Sequence, residues 1–393
     1  MKEKTIIEYC TGCGACSSFN HADLMLNDQG FNLANPKSED FLRFCNQVCF
    51  ASGMQYRNYK NSTFWGNVKL SVRSWALDSK VRHSASSGGT LTALCIYLLE
   101  EGIVDGIVHT TVDPENPIRT ITVCSRTRHD VEMRCGSRYS SSSPLKDIAQ
   151  FINIKEKYCY VGKPCDVATM RNLAKLDSNI KSCFPIMLSF FCAGAPSEKA
   201  NLQLLDKLGT SLKKCVSLRY RGDGWPGYAT AIDEDGSTHK LYYRNAWRDT
   251  LGRDIRNICR FCIDGIGEMA DIVCYDAWYM NSDKEPIFDE AEGRNGVLCR
   301  NEIGVKILKD AENKGYIFVE DYPEYEEELP HFQAYQYTRR ATMASTMLAM
   351  KTMRRNIPSY PFSFVMHMMK FGTLRTQISR YKGTIKRVLN GKI

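Results

Sequence analysis

Cys10, Cys13 and Cys16 recur every third residue in the stretch YCTGCGACSSFN. Three thiols at that spacing on one loop wrap a cubane iron–sulfur cluster, whereas zinc ribbons use two separated CxxC pairs. A ferredoxin run carries a further cysteine, followed by proline, four positions after the third. Here that position is Asn20. In the ferredoxin run that cysteine ligates the other cluster, so its loss need not remove a ligand from this one.

A second constellation lies further along. Cys259 and Cys262 form a CxxC in NICRFCIDGIGEMADIVCYDAW. Cys165 in VGKPCDVA and Cys192 in SFFCAGAPS sit where strand-like runs give way to helix-like runs. In a parallel sheet both turns fall at the C-terminal edge, where open α/β sheets bind ligands. Together the four thiols could close one site, and four cysteinates suit zinc or a [4Fe-4S] cluster. The alternative is that Cys165 and Cys192 are buried core thiols.

Two glycine-rich stretches invite a phosphate reading. Residues 222–227, GDGWPG, satisfy GxGxxG, but that fingerprint needs a strand before it and a helix after it. The chain continues instead with Tyr228 to Asp233 and the turn Glu234-Asp235-Gly236, a hairpin pattern, and Pro226 falls inside the match. The Rossmann reading fails on context, leaving a β-turn or a loop lining a ligand. Ser86-Ser87-Gly88-Gly89 precedes an amphipathic helix, and free amides at a helix N-terminus bind phosphate. An ordinary serine-capped helix is the competing reading.

The elements that must position these residues are legible in outline. The chain has 393 residues, 43% hydrophobic and 24% charged, with 17 cysteines. Its first residues, MKEKTIIEYC, show no apolar leader, and no apolar run reaches membrane-spanning length of about 18 residues. A disulfide scaffold is not expected in such a chain. The spacing of Leu91, Leu94, Cys95, Leu98 and Leu99 predicts a helix closed by Gly102, and IVDGIVHTTV a strand. KYCYVG then DVATMRNLAKL, and FPIMLSFF then PSEKANLQLLDKLG capped by Ser197, repeat the step. This alternation predicts a mixed α/β fold with a parallel component. CVSLRYR and YATAID…THKLYYR read as antiparallel structure. Charge is unevenly spread: Arg339 to Ile393 holds 12 Lys or Arg and no acid, leaving 40 basic and 44 acidic residues elsewhere. A nucleic-acid partner is therefore not expected. The tail reads either as amphipathic helices for an anionic membrane surface or acidic partner, or as helices packed on the body.

Taken together, CTGCGAC, SSGGTLTALCIYLLEEGIVDGIV, GSRYSSSSPL, VGKPCDVATMRNLAKL, FFCAGAPS, RYRGDGWPG and CRFCIDGIGEMADIVCYDAW resemble, in order, the coenzyme F420 hydrogenase/dehydrogenase beta-subunit family. The resemblance implies a cytoplasmic oxidoreductase holding FAD and two [4Fe-4S] clusters. With the organisation along the chain it suggests an N-terminal ferredoxin-like iron–sulfur segment (1–62) and an α/β flavin and cluster domain (63–335), while the basic, helical extension (336–393) lies beyond the match and is read from its own composition. The resemblance assigns Cys165, Cys192, Cys259 and Cys262 to one cluster. It sets Ser86, Ser87, Gly88, Gly89, Thr90, Gly136, Ser137, Arg138, Tyr139, Lys163, Arg221, Gly224 and Trp225 around the flavin, with Lys163 as candidate proton donor. For the first cluster, one branch of the family places its fourth cysteine about thirty residues on, in a Phe-Cys-Pro-Gly setting. LRFCNQVCF occupies that place, with Cys45 the better match and Cys49 its rival. The implied function is a reductase fed by a one-electron donor such as ferredoxin. Its substrate would be the deazaflavin coenzyme F420 or a sugar or nucleotide-sugar intermediate of surface polysaccharide synthesis. The alternative is a non-catalytic electron-transfer subunit serving a partner enzyme.

Overall fold

The computed structural model describes residues 2–53, 63–152, 155–391 and 393. The expected boundary near residue 62 lies outside the described residues. Successive side chains of a strand point to opposite faces, and the strand Tyr158–Gly162 shows how this builds two cores. Tyr158 and Tyr160 pack with Val167, Met170 and Leu173 of the helix Pro164–Leu176. Cys159 and Val161 join the opposite cluster, beneath Leu94, Ile96 and Leu98 of the helix Thr90–Glu100.

The strand belongs to an eight-stranded sheet. Its order is Ile317–Asp321, Leu70–Ala76, Asn295–Cys299, Ile272–Asp276, Ile186–Phe190, Tyr158–Gly162, Gly106–Asp113, Asn116–Ser125. The four strands from Ile272–Asp276 to Gly106–Asp113 run parallel, and the outer pairings are antiparallel. The fold is thus mixed α/β, as the alternation predicts. The pairing of Leu70–Ala76 with Asn295–Cys299 closes the sheet between segments far apart in the chain, which local patterning does not reveal.

Local signals match where they were readable. Ser197 Oγ accepts from Ala200 N at 3.0 Å and caps the helix Glu198–Leu208. Gly102, at φ +61°, comes just after the helix Thr90–Glu100. The antiparallel reading also holds: Tyr228–Asp233 pairs with both Thr238–Tyr242 and Cys215–Arg219.

The N-terminal segment forms a hairpin, Ala22–Leu26 with Asn32–Pro36, beside the helix Phe41–Val48. It is built onto the sheet: Leu145 N donates to Cys13 O at 2.7 Å, and Cys13, Ala15 and Val48 share a core with Tyr158 and Met187.

The C-terminal extension is helical, over Ala334–Ala341, Met343–Thr352, Phe362–Met369 and Leu374–Leu389. Of the two readings of this tail, packing on the body describes it. Met343, Met350, Phe364, Val365, Met368 and Val388 are buried in one core with Trp65, Phe261 and Ile263. Arg340 is also buried and donates to Glu268 Oε1 at 2.7 Å. Other apolar side chains of the same segment, Leu348, Phe362, Leu374 and Leu389 among them, remain exposed. Among the described residues no helix is long and apolar enough to cross a membrane.

A tail integral to the core makes a stability prediction. Phe364→Ala removes a ring that is 1% exposed and should cost about 3–5 kcal/mol. The loss should appear in urea unfolding as a lower midpoint of the main transition. An unchanged midpoint would mean that the tail is only loosely attached.

Candidate functional site

The parallel strands Tyr158–Gly162 and Ile186–Phe190 are neighbours, with Gly162 opposite Ser189. Their C-terminal turns therefore emerge side by side. The first carries Lys163 and Cys165, the second Phe191 and Cys192. Beside them opens a cavity of about 520 Å³, within the size range of ligand pockets.

Many expected contacts line this cavity. Ser86, Ser87 and Gly89 come from the turn before the helix Thr90–Glu100. Gly136, Ser137, Arg138 and Tyr139 form another wall, with Ser86 Oγ accepting from Ser137 N at 2.7 Å. Lys163 and Arg221 also line it.

Four expected contacts do not. Thr90 is fully buried, its amide donating to Asn295 Oδ1 at 3.2 Å and its hydroxyl to Ser74 Oγ at 3.2 Å. The helix N-terminus is therefore partly satisfied from within the fold. Gly88 packs so closely on the Arg294–Asn295 backbone that a Cβ would collide with it. Gly224 and Trp225 lie outside the cavity lining, and Trp225 is a core residue against Trp278 at 4.7 Å between ring centroids. The GDGWPG loop thus builds the wall from behind. Its neighbour Arg221 is held by Asp276 at 2.7 Å and by the ring of Tyr243 at 4.3 Å.

Lys163 is more tightly held than a proton donor should be. Its ammonium contacts Asp166 Oδ2 at 2.7 Å and Ser142 Oγ at 3.1 Å. Burial alone would lower its pKa, but the Asp166 carboxylate and the Cys165 thiol outweigh burial and hold it above the ordinary lysine value. Lys163 therefore stands protonated beside the cavity.

All 17 cysteines are free thiols. Cys165, Cys192, Cys259 and Cys262 converge. Burial raises Cys165, Cys192 and Cys262, and Cys259 acts on each of them. Cys192 is pushed up to about 12 and lines the cavity. The tail closes over this group: Gln336 Nε2 donates to Cys192 O at 2.7 Å, and Tyr360 Oη to Phe261 O at 2.6 Å.

The N-terminal thiols also converge, and five are present. Cys45 interacts with both Cys16 and Cys49, which raises its own pKa and lowers theirs. It is 3% exposed, in an apolar nest of Ile6, Ala22, Ala34 and Phe41. Cys49 is the thiol that acts most strongly on Cys10 and Cys13, and it acts on Cys16 as well. Among the described residues no three His, Cys, Asp or Glu side chains stand at the spacing of a single metal ion.

Sequence reasoning missed three participants. Asp166, three residues after Lys163 on the first turn of its helix, was within reach of an i,i+3 reading. Asp276, which fixes Arg221, and Arg256, which lies between the two thiol groups, carry no local signal at all.

Comparison with known proteins adds the family. Residues 71–149 match the N-terminal part, and residues 155–325 the C-terminal part, of the family described as coenzyme F420 hydrogenase/dehydrogenase, beta subunit. The coenzyme F420 hydrogenase subunit beta of Methanococcus voltae is 30% identical over 132 residues, 33% of this chain and 46% of that protein. The F420-dependent formate dehydrogenase 1 subunit beta of Methanococcus maripaludis is 26% identical over 253 residues, 62% and 59% of the two chains. The F420-dependent formate dehydrogenase subunit beta of Methanocaldococcus jannaschii is 25% identical over 296 residues, 73% and 69% of the two chains. The chain thus spans about half the length of the first two relatives. A chain of the F420-reducing [NiFe] hydrogenase complex from Methanosarcina barkeri shares the fold, with TM-score 0.57 and 20% identity over 75% of this chain and 97% of that one.

The Lys163–Asp166 pair yields a direct test. Lys163→Met strands a carboxylate that is 0% exposed and should lower stability by about 3–5 kcal/mol in urea unfolding. Adding Asp166→Leu should recover most of the loss. Additive losses in the double variant would show that the pair is not the cause.

Proposed function

This chain belongs to the coenzyme F420 hydrogenase/dehydrogenase beta-subunit family, and from that premise we propose that it is an iron–sulfur, flavin-binding electron-transfer subunit serving a partner oxidoreductase. One arrangement carries the reading. Two groups of thiols share the buried cation Arg256, and Cys192 of the second group also lines the cavity.

The donor sets fit iron–sulfur clusters. Each is made of free thiols alone and supplies the four that a cubane requires. The second set is Cys165, Cys192, Cys259 and Cys262. For the first set, Cys10, Cys13 and Cys16 are completed by Cys49 and not by Cys45. What favours Cys49 is that it acts electrostatically on all three thiols, whereas Cys45 acts on Cys16 and Cys49; Cys10, Cys16 and Cys49 border the same apolar cluster as Cys45.

A flavin suits the cavity, with FAD the form the family resemblance favours. Serine and glycine turns line one part, and Tyr139, Trp247, Trp278 and Phe288 supply aromatic surface. When bound, clusters supply one-electron transfer and a flavin joins it to two-electron chemistry. The chain's own residues bind, orient and insulate. Ser86 and Ser137 fix the turn beside the cavity, Lys163 holds a constant positive charge against it, and Gln336 and Tyr360 close the tail over the second thiol group. Relatives are named as F420-dependent enzymes, so coenzyme F420 is the first organic reactant to try, with ferredoxin as a soluble donor.

The isolated chain, reconstituted anaerobically, should carry two clusters' worth of iron and exchange electrons with a viologen dye. Reduction of F420 should be sustained only with the partner enzyme. Sustained F420 reduction by the isolated chain would make it a reductase in its own right, and failure to bind iron would overturn both readings. Within that assay Cys49→Ala should lose about one cluster's worth of iron while Cys45→Ala keeps the parent content. The reverse result returns the fourth ligand to Cys45.

A further inference from the structure

Arg256 precedes the helix Asn257–Phe261, which carries Cys259. It is 2% exposed. Its Nη1 donates to Asn32 O at 2.8 Å and to Cys10 O at 3.5 Å, and its Nη2 to Ser141 Oγ at 2.8 Å. The guanidinium lies over the Phe31 ring at 4.8 Å, and its Nε is buried without a partner. Gly12 makes room for it, since a Cβ there would collide with Nη2.

Among the described residues no carboxylate forms an ion pair with Arg256. Burial works against its charge and lowers its pKa; the leading groups that offset burial are thiols, two from each constellation, Cys10 and Cys13 from the first and Cys165 and Cys259 from the second. Neutral oxygen acceptors take hydrogen bonds from Nη1 and Nη2 but leave the charge unbalanced, and an unpaired buried charge is costly. An anionic group at either thiol set would balance it.

Resting on the iron–sulfur reading above, we propose that Arg256 is a positioning residue shared by both cluster sites, a fixed positive charge that raises both reduction potentials together. Adding an electron makes a thiolate-ligated cluster more negative. A cation nearby favours that state, and net charge is among the factors that set cluster potentials. The effect is larger in a water-poor interior than at the surface. Because the charge lies between the sites, it lifts both relative to an outside donor.

The test is a redox titration, monitored by electron paramagnetic resonance, of the anaerobically reconstituted full chain and of Arg256→Gln, Arg256→Met and Arg256→Lys. Iron and sulfide are measured on each sample. In the Gln and Met variants both midpoints should fall, each by at least a tenfold change in reduced-to-oxidised ratio, about 59 mV for a one-electron couple. Lys should hold both near the parent values. The titration reads only loaded molecules, so partial loading leaves the result intact. The proposal is overturned if both midpoints stay put, if only one moves, or if Lys falls with Met. Loss of both clusters from both neutral variants also overturns it, by reducing Arg256 to a strut. A parent chain that binds no iron would instead refute the reading underneath.

Discussion

A guanidinium removed from water must find acceptors for its donors and something to balance its charge. Arg256 meets the first demand at Nη1 and Nη2, leaves Nε without a partner, and is held by its backbone as well. Asn32 and Cys10 come from the N-terminal segment, Ser141 from the loop after Tyr139, and its own amide donates to Ala195 O at 3.1 Å. Those bonds add to the contacts that seat the N-terminal segment on the sheet, Leu145 N to Cys13 O and the core shared by Cys13, Ala15 and Val48. The left-handed Gly12, at φ +71°, belongs to the same arrangement, because a side chain there would displace the arginine. One buried charge thus borders both thiol groups, and the cavity adjoins the second of them.

The sheet decides that second position. Parallel strands deliver each C-terminal turn to the same edge. Since Tyr158–Gly162 and Ile186–Phe190 are adjacent, Cys165 and Cys192 become neighbours without any special loop. Cys259 and Cys262 arrive separately, beside a chain held by the isolated bridge between Pro196 and Ile255. The cavity opens on the same edge, so one thiol, Cys192, belongs to both.

The tail shows how charge counting can mislead. Twelve basic residues without an acid suggest a surface seeking an anionic partner. Yet Arg339 and Arg340 are among the buried residues, the first donating to Ala193 O at 3.4 Å and the second paired with Glu268. A formal charge says nothing about which carbonyl or carboxylate a long side chain will reach. The Met- and Phe-rich faces of the same helices are core, in contact with the strands and turns that carry the second thiol group.

Local chemistry was legible in the residues themselves. Ser197 as a cap, Gly102 as a helix stop, the strand-to-helix steps and the cysteine spacings all act within a few positions, where backbone geometry leaves few choices. The rejection of a dinucleotide fingerprint at residues 222–227 rested on the same short range, since a hairpin and not a helix comes next. What tertiary structure alone decided was every relation across long sequence separations, together with the one contact, Asp166 on Lys163, that burial made decisive. Asp166 came to hold the Lys163 ammonium, Asn295 occupied the Thr90 amide, and Arg256 came to bond the N-terminal segment from the turn before Cys259. These depend on which segments share a buried space, and on the demand that each polar group there be satisfied. Residue spacing along the chain carries no record of either.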